Sequence, residues 1–212
     1  MDNIFGTYNS LIDYQKTVGK SYAAFQRKGH RYVGGGNSAF TYYAKKSVIQ
    51  EGFPVNLNEL TRVATLHLSY EVYENALISA TSIKVKKNLS GGIVYVGEKL
   101  MAAPSTVAGT GTGFTISAID RTNALYDVLT VSAIPAALTA GDILVESSAS
   151  GAGATIKVIP NGLVRDDIYL DEYATNFTVD VLYEGEVYSR RIPPMNAAIK
   201  ALMPQIMFNN SK

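Results

Sequence analysis

Apolar and polar residues alternate most clearly in the last quarter of the chain. Every second residue of the segment 177–183 is apolar or aromatic, which places these side chains on one face of an extended strand. The segment 187–192 follows after the short polar connection Glu184-Gly185-Glu186. A tight connection that contains glycine between two such segments is typical of a β-hairpin. We therefore predict a hairpin formed by residues 177–183 and 187–192.

Further short alternating segments follow one another from about residue 83. They are separated by turn sequences such as Pro160-Asn161-Gly162 and Ala140-Gly141-Asp142, in which Asn and Gly accept a positive φ at little cost. This arrangement is typical of an antiparallel β-sandwich or barrel. The glycine-rich loop 108–113 is predicted to be a mobile tip. The predicted strands cover residues 83–87, 93–96, 114–119, 126–131, 142–147 and 155–159.

The end of the chain predicts a short helix and one more strand. Residues 195–200 are followed by Leu202 and Met203, and Pro204 disfavours a helical conformation in the residue before it. The apolar residues Ile206, Met207 and Phe208 then predict a brief strand.

The segment 58–80 carries two competing patterns. Asn58 is a good helix cap, and apolar residues such as Leu60, Val63 and Leu68 then recur near one helical face. We predict a linking helix of about five turns here. The alternative is a strand, because Leu66, Leu68, Tyr70 and Val72 also alternate.

The first 57 residues combine aromatic and basic side chains without a sustained apolar period. Residues 1–50 hold seven Lys or Arg against two Asp, a net charge of +5, so the remainder carries −4 within the total of +1. With the break Gly34-Gly35-Gly36, this indicates an extended or partly helical arm that seeks a partner surface. The alternative is an arm that folds back onto its own domain.

Together these patterns predict a mainly β protein in which residues 81–212 form a small antiparallel β-sandwich or barrel. An N-terminal extended arm over 1–57 and one or two helices complete the prediction. The 212 residues are 47% hydrophobic, enough to form a core, and contain no cysteine, which excludes disulfides and thiolate metal sites. The longest apolar runs are too short for a membrane-spanning helix, and the first residues lack the pattern of an export signal. We therefore expect neither a membrane partner nor export by that route.

Candidate catalytic and ligand-binding groups are sparse. His30 lies in the basic arm, and His67 lies in an apolar run, where a partly buried ring with one hydrogen-bond partner is expected. The glycines at 109, 111 and 113 are not followed by the helix that a phosphate-binding loop requires. The acidic pairs at 166–167 and 171–172 lack the spacing of a calcium site or the framework of a glycosidase, and solvated carboxylates are the simpler interpretation.

No catalytic, metal-binding or cofactor-binding residues are therefore predicted, and we expect that the protein is not an enzyme. Asp167 remains the single candidate of the rival enzymatic hypothesis. Nucleic-acid binding by the arm is a minor hypothesis, since Arg27, Lys28 and Arg31 form its only tight basic cluster and no nucleic-acid-binding motif is present.

The C-terminal part of the chain resembles the lambda-type head-decoration family and the related head-fibre proteins of tailed bacteriophages. The similar segments, which cover about half of the chain, are residues 126–131, 141–144, 161–164, 167–170, 178–187, 191–193 and 199–206. The resemblance implies a β-rich structural protein on the outside of a mature capsid, made in the host cytoplasm, which binds the major capsid protein and reinforces capsomer junctions. A homotrimer is also implied, because members of the family often form trimers.

Given this resemblance, the arm and the terminal apolar strand are the expected contact elements. The alternative function is a receptor- or glycan-binding head fibre. The predicted capsid-binding residues are Tyr22, Phe25, Arg27, Lys28, Arg31, Tyr32, Leu202, Pro204, Ile206 and Phe208.

Overall fold

The computed structural model describes residues 24–32, 34–38, 48–87, 94–170 and 177–210. These residues form short β-strands with one α-helix and one 3₁₀ helix, which confirms the predicted mainly β class. The strands are β1 (Phe25–Lys28), β2 (Gly36–Ser38), β3 (Val48–Ile49), β4 (Pro54–Asn58), β5 (Val63–Leu66), β6 (Ser69–Glu71), β7 (Ser82–Lys86), β8 (Lys99–Ala102), β9 (Gly111–Asp120), β10 (Tyr126–Val131), β11 (Ile143–Glu146), β12 (Gly151–Ala154), β13 (Gly162–Val164), β14 (Ile168–Tyr169), β15 (Thr178–Val179), β16 (Val181–Leu182), β17 (Gly185–Tyr188) and β18 (Ile206–Asn209). The 3₁₀ helix is Ser189–Arg191 and helix α1 is Ala197–Lys200.

Six strands in the middle of the chain form an antiparallel barrel. Their order is β6-β11-β8-β9-β10-β7, and a bridge between Val72 and Val85 closes the ring between the chain after β6 and strand β7. Tyr73 adds a hydrogen bond from its N–H to the carbonyl of Lys84, at 2.8 Å. Inward-facing apolar side chains fill a barrel of this size. The buried residues of these strands include Tyr70, Ile83, Val85, Leu100, Phe114, Ile116, Leu129, Val131 and Leu144.

A second sheet combines strands that precede the barrel in the sequence with strands that follow it. Its order is β15-β2-β5-β4-β13-β16, so three adjacent strands from residues 36–66 lie between β15 on one side and β13 and β16 on the other. Phe53, Val55 and Leu57 are fully buried in this sheet and share one core cluster with the barrel residues. The independent arm predicted over residues 1–57 is therefore wrong for the described residues from Ala24 onward, and the alternative of a segment folded back onto its own domain describes them. Residues 1–23 lie outside the described residues.

The linking helix predicted over 58–80 is wrong, and the alternative of strands is correct for β5 and β6. The Oδ1 atom of Asn58 does accept hydrogen bonds from the N–H groups of Leu60 and Thr61, at 3.0 and 3.1 Å, as a helix cap would. The turn ends at Arg62, whose φ of 57° stops a helix, and Leu60 is 96% exposed. The alternating residues Leu66 to Val72 are buried instead, because burial of a strand face outweighs the local cap.

The hairpin predicted between 177–183 and 187–192 is also wrong. Strand β16 pairs with β13, whereas β17 pairs with β1 and β18, so the two predicted arms do not pair with each other. Gly185 is required by a close approach and not by a turn, since a Cβ atom there would lie 2.8 Å from the carbonyl oxygen of Arg27. Strand β17 therefore pairs with β1 of the N-terminal segment and not, as was predicted, with residues 177–183.

Three smaller predictions are also corrected. The glycine-rich tip at 108–113 contains the beginning of β9, which pairs with β12 through Gly111, Thr112 and Gly113. The expected strand at 155–159 is absent, since β12 ends at Ala154 and only Ile156 forms an isolated bridge. Of the expected strand 93–96, residue 93 lies outside the described residues, and the other three are not in a strand.

The predicted elements at the C-terminus are confirmed. Helix α1 is capped by Asn196, whose Oδ1 accepts a hydrogen bond from the N–H of Ile199 at 2.9 Å. Strand β18 follows and pairs with β17 in parallel. The strands predicted at 83–87, 114–119, 126–131 and 142–147 are confirmed as β7, part of β9, β10 and β11.

Candidate functional site

The two expected contact elements meet in one small sheet. Strand β17 lies in the middle, with β1 antiparallel on one side and β18 parallel on the other. Val187 of β17 is in register with Phe25 of β1 and Phe208 of β18. We call these three strands the terminal sheet. Residues almost two hundred positions apart in the sequence are thus neighbours on one surface.

The terminal sheet is held by a core of its own. Val187, Ile199 and Met203 are buried with Phe25, which is 8% exposed, and Ile206, which is 5% exposed. The prediction that Phe25 and Ile206 contact a partner is therefore corrected: both side chains anchor the sheet to the chain's own second core cluster. Burying such side chains stabilises a protein by about 1.5–3 kcal/mol each.

The remaining predicted C-terminal contact residues are more accessible. Pro204 is exposed, and Leu202 and Phe208 are partly exposed. The Nζ atom of Lys200 lies 5.5 Å from the ring centre of Phe208, in a cation–π contact. Met207, which was not among the predicted contact residues, is 58% exposed in the same strand.

The basic residues predicted as a capsid-seeking cluster are paired within the chain. Arg27 forms an ion pair with Glu186 at 3.1 Å, across the β1–β17 ladder, and Arg31 forms one with Asp180. Arg31 also extends the ladder beyond β1 through a bridge to Leu182. These two arginines are therefore neutralised by acidic residues from the C-terminal half.

Lys28 lies at the centre of a small ion network. Its Nζ atom is 2.8 Å from Glu51 and 2.7 Å from Asp166. Burial lowers the pKa of Lys28, but hydrogen bonds to Asp166 and Glu51 outweigh this effect and raise the pKa above its ordinary value. Lys28 is therefore charged and engaged inside the protein.

The aromatic residues of the predicted arm have different positions. Tyr32 is partly buried and packs against Tyr183, with 5.0 Å between ring centres, and its N–H donates to the carbonyl of Val181 at 2.9 Å. Burial raises the pKa of Tyr32 above its ordinary value. The prediction for Tyr22 falls outside the described residues.

Glu51 anchors β1, and the sequence analysis missed it. Its Oε1 atom accepts hydrogen bonds from the N–H of Ala24 and, at 3.4 Å, from that of Phe25, while its own N–H donates to Asp167 at 2.8 Å. Nothing in the local sequence Gln50-Glu51-Gly52 marks this role, because both ends of the contact are set by the fold. The side chain engages the N–H groups at the start of β1, which makes β18 the more open edge of the terminal sheet.

Replacing Glu51 with alanine should loosen β1. Two backbone N–H groups would lose their acceptor and Lys28 would lose one of its two, at a cost of about 2 kcal/mol in the free energy of unfolding. Hydrogen exchange should show faster exchange at the amides of Ala24 and Phe25. Glu51→Gln keeps an acceptor oxygen without the charge and should restore part of the protection. Unchanged exchange in Glu51→Ala would contradict the anchoring role.

The candidate groups for catalysis have structural roles. His67 is fully buried, its Nδ1 atom pairs with the carbonyl of Val158 at 2.6 Å, and burial lowers its pKa below the ordinary value. Asp166 forms an ion pair with Lys28, and Asp167 accepts a hydrogen bond from the backbone N–H of Glu51. Both carboxylates are thus engaged in contacts within the chain. Residues 171 and 172 lie outside the described residues. His30 is exposed and pairs with Glu184.

A buried polar network connects the barrel to the chain beyond it. The Oε2 atom of Glu98 accepts from the hydroxyl of Tyr70 at 3.0 Å and from the N–H of Tyr95 at 3.3 Å. Glu146 accepts from the hydroxyl of Tyr95 at 2.8 Å and pairs with Lys157 at 2.6 Å. Glu98 is only 1% exposed, and burial raises its pKa to about 8.

Within this network the carboxyl group of Glu98 is closed off from solvent. In the part of the chain that the structure describes, no three His, Asp or Glu side chains are arranged to hold a metal ion. No helix in these residues has the length and apolar character needed to cross a membrane.

Comparison with protein-family models, curated proteins and solved structures finds no match for this chain.

Proposed function

We propose that this chain is a structural protein of a tailed-bacteriophage virion that binds the outer surface of the capsid and reinforces capsomer junctions through its terminal sheet. The observation that carries the proposal is the meeting of the two expected contact elements in β1 and β18, on either side of β17. Because Glu51 accepts a hydrogen bond from the backbone at the start of β1, we expect the partner to dock at the edge of β18.

Strand β18 has the features of an edge that can accept another strand. Its far side pairs with no other strand among the described residues, so backbone N–H and C=O groups remain for a partner. An added strand would gain affinity from main-chain hydrogen bonds and specificity from side chains such as Met207 and Phe208. The major capsid protein is the proposed partner.

Such binding would stabilise the shell by mass action. A protein that binds the assembled shell, and not its ruptured form, shifts the balance toward the assembled form. Many copies on one shell add their contributions, so a modest affinity per copy is sufficient.

A non-enzymatic role is supported by the state of the carboxylates. Asp166 and Asp167 are engaged in contacts with Lys28 and the backbone of Glu51. The buried Glu98 and Glu146 hold the network around Tyr95 together. None of these groups is poised beside an open substrate site.

Met207→Asp should weaken binding to undecorated phage shells by about tenfold or more, because it places an unpaired charge at the proposed interface. The measurement is co-sedimentation of the full-length protein with shells over a range of concentrations. Leu60→Asp is the matched control, since Leu60 is an exposed apolar residue in the turn between β4 and β5. The control should bind like the unaltered protein, and equal binding by both variants would contradict docking through β18.

A further inference from the structure

A cavity lies between the barrel, Glu51 of the Lys28 ion network and the segment that follows β17. Its volume is about 310 Å³, which is within the range of small-ligand sites. Four segments that are distant in sequence contribute to its wall. The lining residues are Gln50 and Glu51, Ser69 to Glu71, Lys86 and Lys87, and Ser189 to Pro194.

The wall of the cavity has an excess of positive charge. Among the described residues of the lining, Lys86, Lys87, Arg190 and Arg191 contribute four cationic groups, whereas Glu51 and Glu71 contribute two carboxylates. The carboxylate of Glu51 is already engaged by Lys28, at 2.8 Å. A wall with this balance attracts anions and repels cations.

The four basic side chains of the lining differ in their contacts. Lys86 pairs with Glu71, and Lys87 lies 3.4 Å from the buried Asp127. Arg191 lies over the ring of Tyr188, 4.8 Å from its centre. Arg190 is exposed and forms no ion pair with the described acidic residues. Its guanidinium group therefore keeps its donors for an anion, in a fork that suits the two oxygens of a carboxylate or phosphate.

Two serine hydroxyls add possible donors. Ser69 and Ser189 both line the cavity, and neither hydroxyl oxygen has a hydrogen-bond partner in the described part of the chain. Ser69 is almost completely buried. A buried hydroxyl without a partner is costly, and an acceptor placed in the cavity would satisfy it after a rotation of the side chain.

We propose that this cavity binds a small oxyanion, a phosphate or carboxylate group, with Arg190 as its main ligand and Lys86, Ser69 and Ser189 as supporting contacts. The cavity is formed by the isolated chain, so this proposal does not depend on capsid binding. The docking edge at β18 and this cavity are different parts of the protein.

The test is thermal unfolding of the full-length protein in increasing inorganic phosphate, with acetate as a second arm and chloride at matched ionic strength as the reference. A specific anion should raise the unfolding midpoint in a saturable way, because a ligand that binds the native state stabilises it. Saturation by phosphate alone would assign a phosphate group, and saturation by acetate would assign a carboxylate.

Arg190→Gln should weaken the apparent affinity by about tenfold, as expected for the loss of a charged hydrogen-bond donor. Arg62→Gln is the matched control, because Arg62 is also an exposed arginine but lies outside the cavity wall. The control should respond like the unaltered protein. No saturable response to either anion, or the same loss in both variants, would overturn the proposal.

Discussion

Replacing Gly113 with alanine should lower the free energy of unfolding by about 3 kcal/mol, the upper range for overpacking a well-packed site. A Cβ atom at Gly113 would lie 2.0 Å from the carbonyl oxygen of Ala149 and 2.7 Å from the hydroxyl of Ser147. The first of these is a backbone atom beside β12, so it can move only if the β9–β12 pairing opens. The variant should therefore lose this pairing.

Gly111 provides a matched control in the same strand and the same Gly-Thr-Gly sequence. A Cβ atom there would meet only the flexible side chain of Met101, with the sulfur at 3.2 Å. Gly111→Ala should change stability by less than about 1 kcal/mol, since restricting the unfolded chain offsets a small rearrangement. Urea unfolding of both variants measures the difference. Equal stability of the two would show that β12 does not approach β9 as closely as described.

Stability should fall as the pH rises toward 8, because of Glu98. Its pKa is raised from 4.5 to about 8 in the folded protein, so the folded state holds a proton that the unfolded state has lost. Between these values the unfolded state binds fewer protons, and stability decreases with pH by up to about 1.4 kcal/mol per pH unit. Over the whole interval the loss is on the order of 5 kcal/mol.

His67 has the opposite effect at lower pH. Burial lowers its pKa below 6.5, so the unfolded state takes up a proton first as the pH falls. This group therefore destabilises the protein below pH 6.5. From about one pH unit above that value His67 is neutral in both states, and the slope from there to pH 8 can be assigned to Glu98.

The measurement is urea unfolding at several pH values between 6.5 and 8.5. Glu98→Gln, which cannot ionise, should flatten the slope. Glu59→Gln is the control, because Glu59 is exposed in the turn between β4 and β5. This control should keep the slope of the unaltered protein. A slope that is the same in Glu98→Gln would rule out Glu98 as its source.

The local sequence predicted strands and helix ends that depend on alternation, capping and proline. The alternation in residues 126–131 corresponds to β10, and the cap and the proline at the end of the chain define α1 and the start of β18. For His67 a partly buried ring with one hydrogen-bond partner was predicted; the single partner is found, and the ring is fully buried. These features need no knowledge of distant segments.

Pairing between distant segments was not predictable in this way. The alternation of 177–183 identifies a strand face but not its partner, and the partner of β17 is the N-terminal strand β1. The cap at Asn58 is real, yet the burial of Leu66 and Leu68 determines the structure of that segment. A single sequence contains no signal that decides between such alternatives, because the deciding energy comes from the rest of the fold.

For the candidate site, too, local features were predictable and long-range contacts were not. The basic cluster and the terminal apolar strand were both identified from composition, and the structure brings them together in the terminal sheet. The neutralisation of Arg27 by Glu186 and the anchoring by Glu51 depend on contacts across more than twenty residues and remained hidden. We therefore propose docking at an open strand edge in place of the predicted attraction of a free positive arm to an acidic surface.

Imaging of undecorated phage shells after incubation with the full-length protein tests the proposed docking most directly. We expect added density at the capsomer junctions, with β18 next to the major capsid protein and the barrel pointing away from the shell. Shells without added density, or density in which the barrel makes the contact and β18 faces solvent, would contradict the proposal.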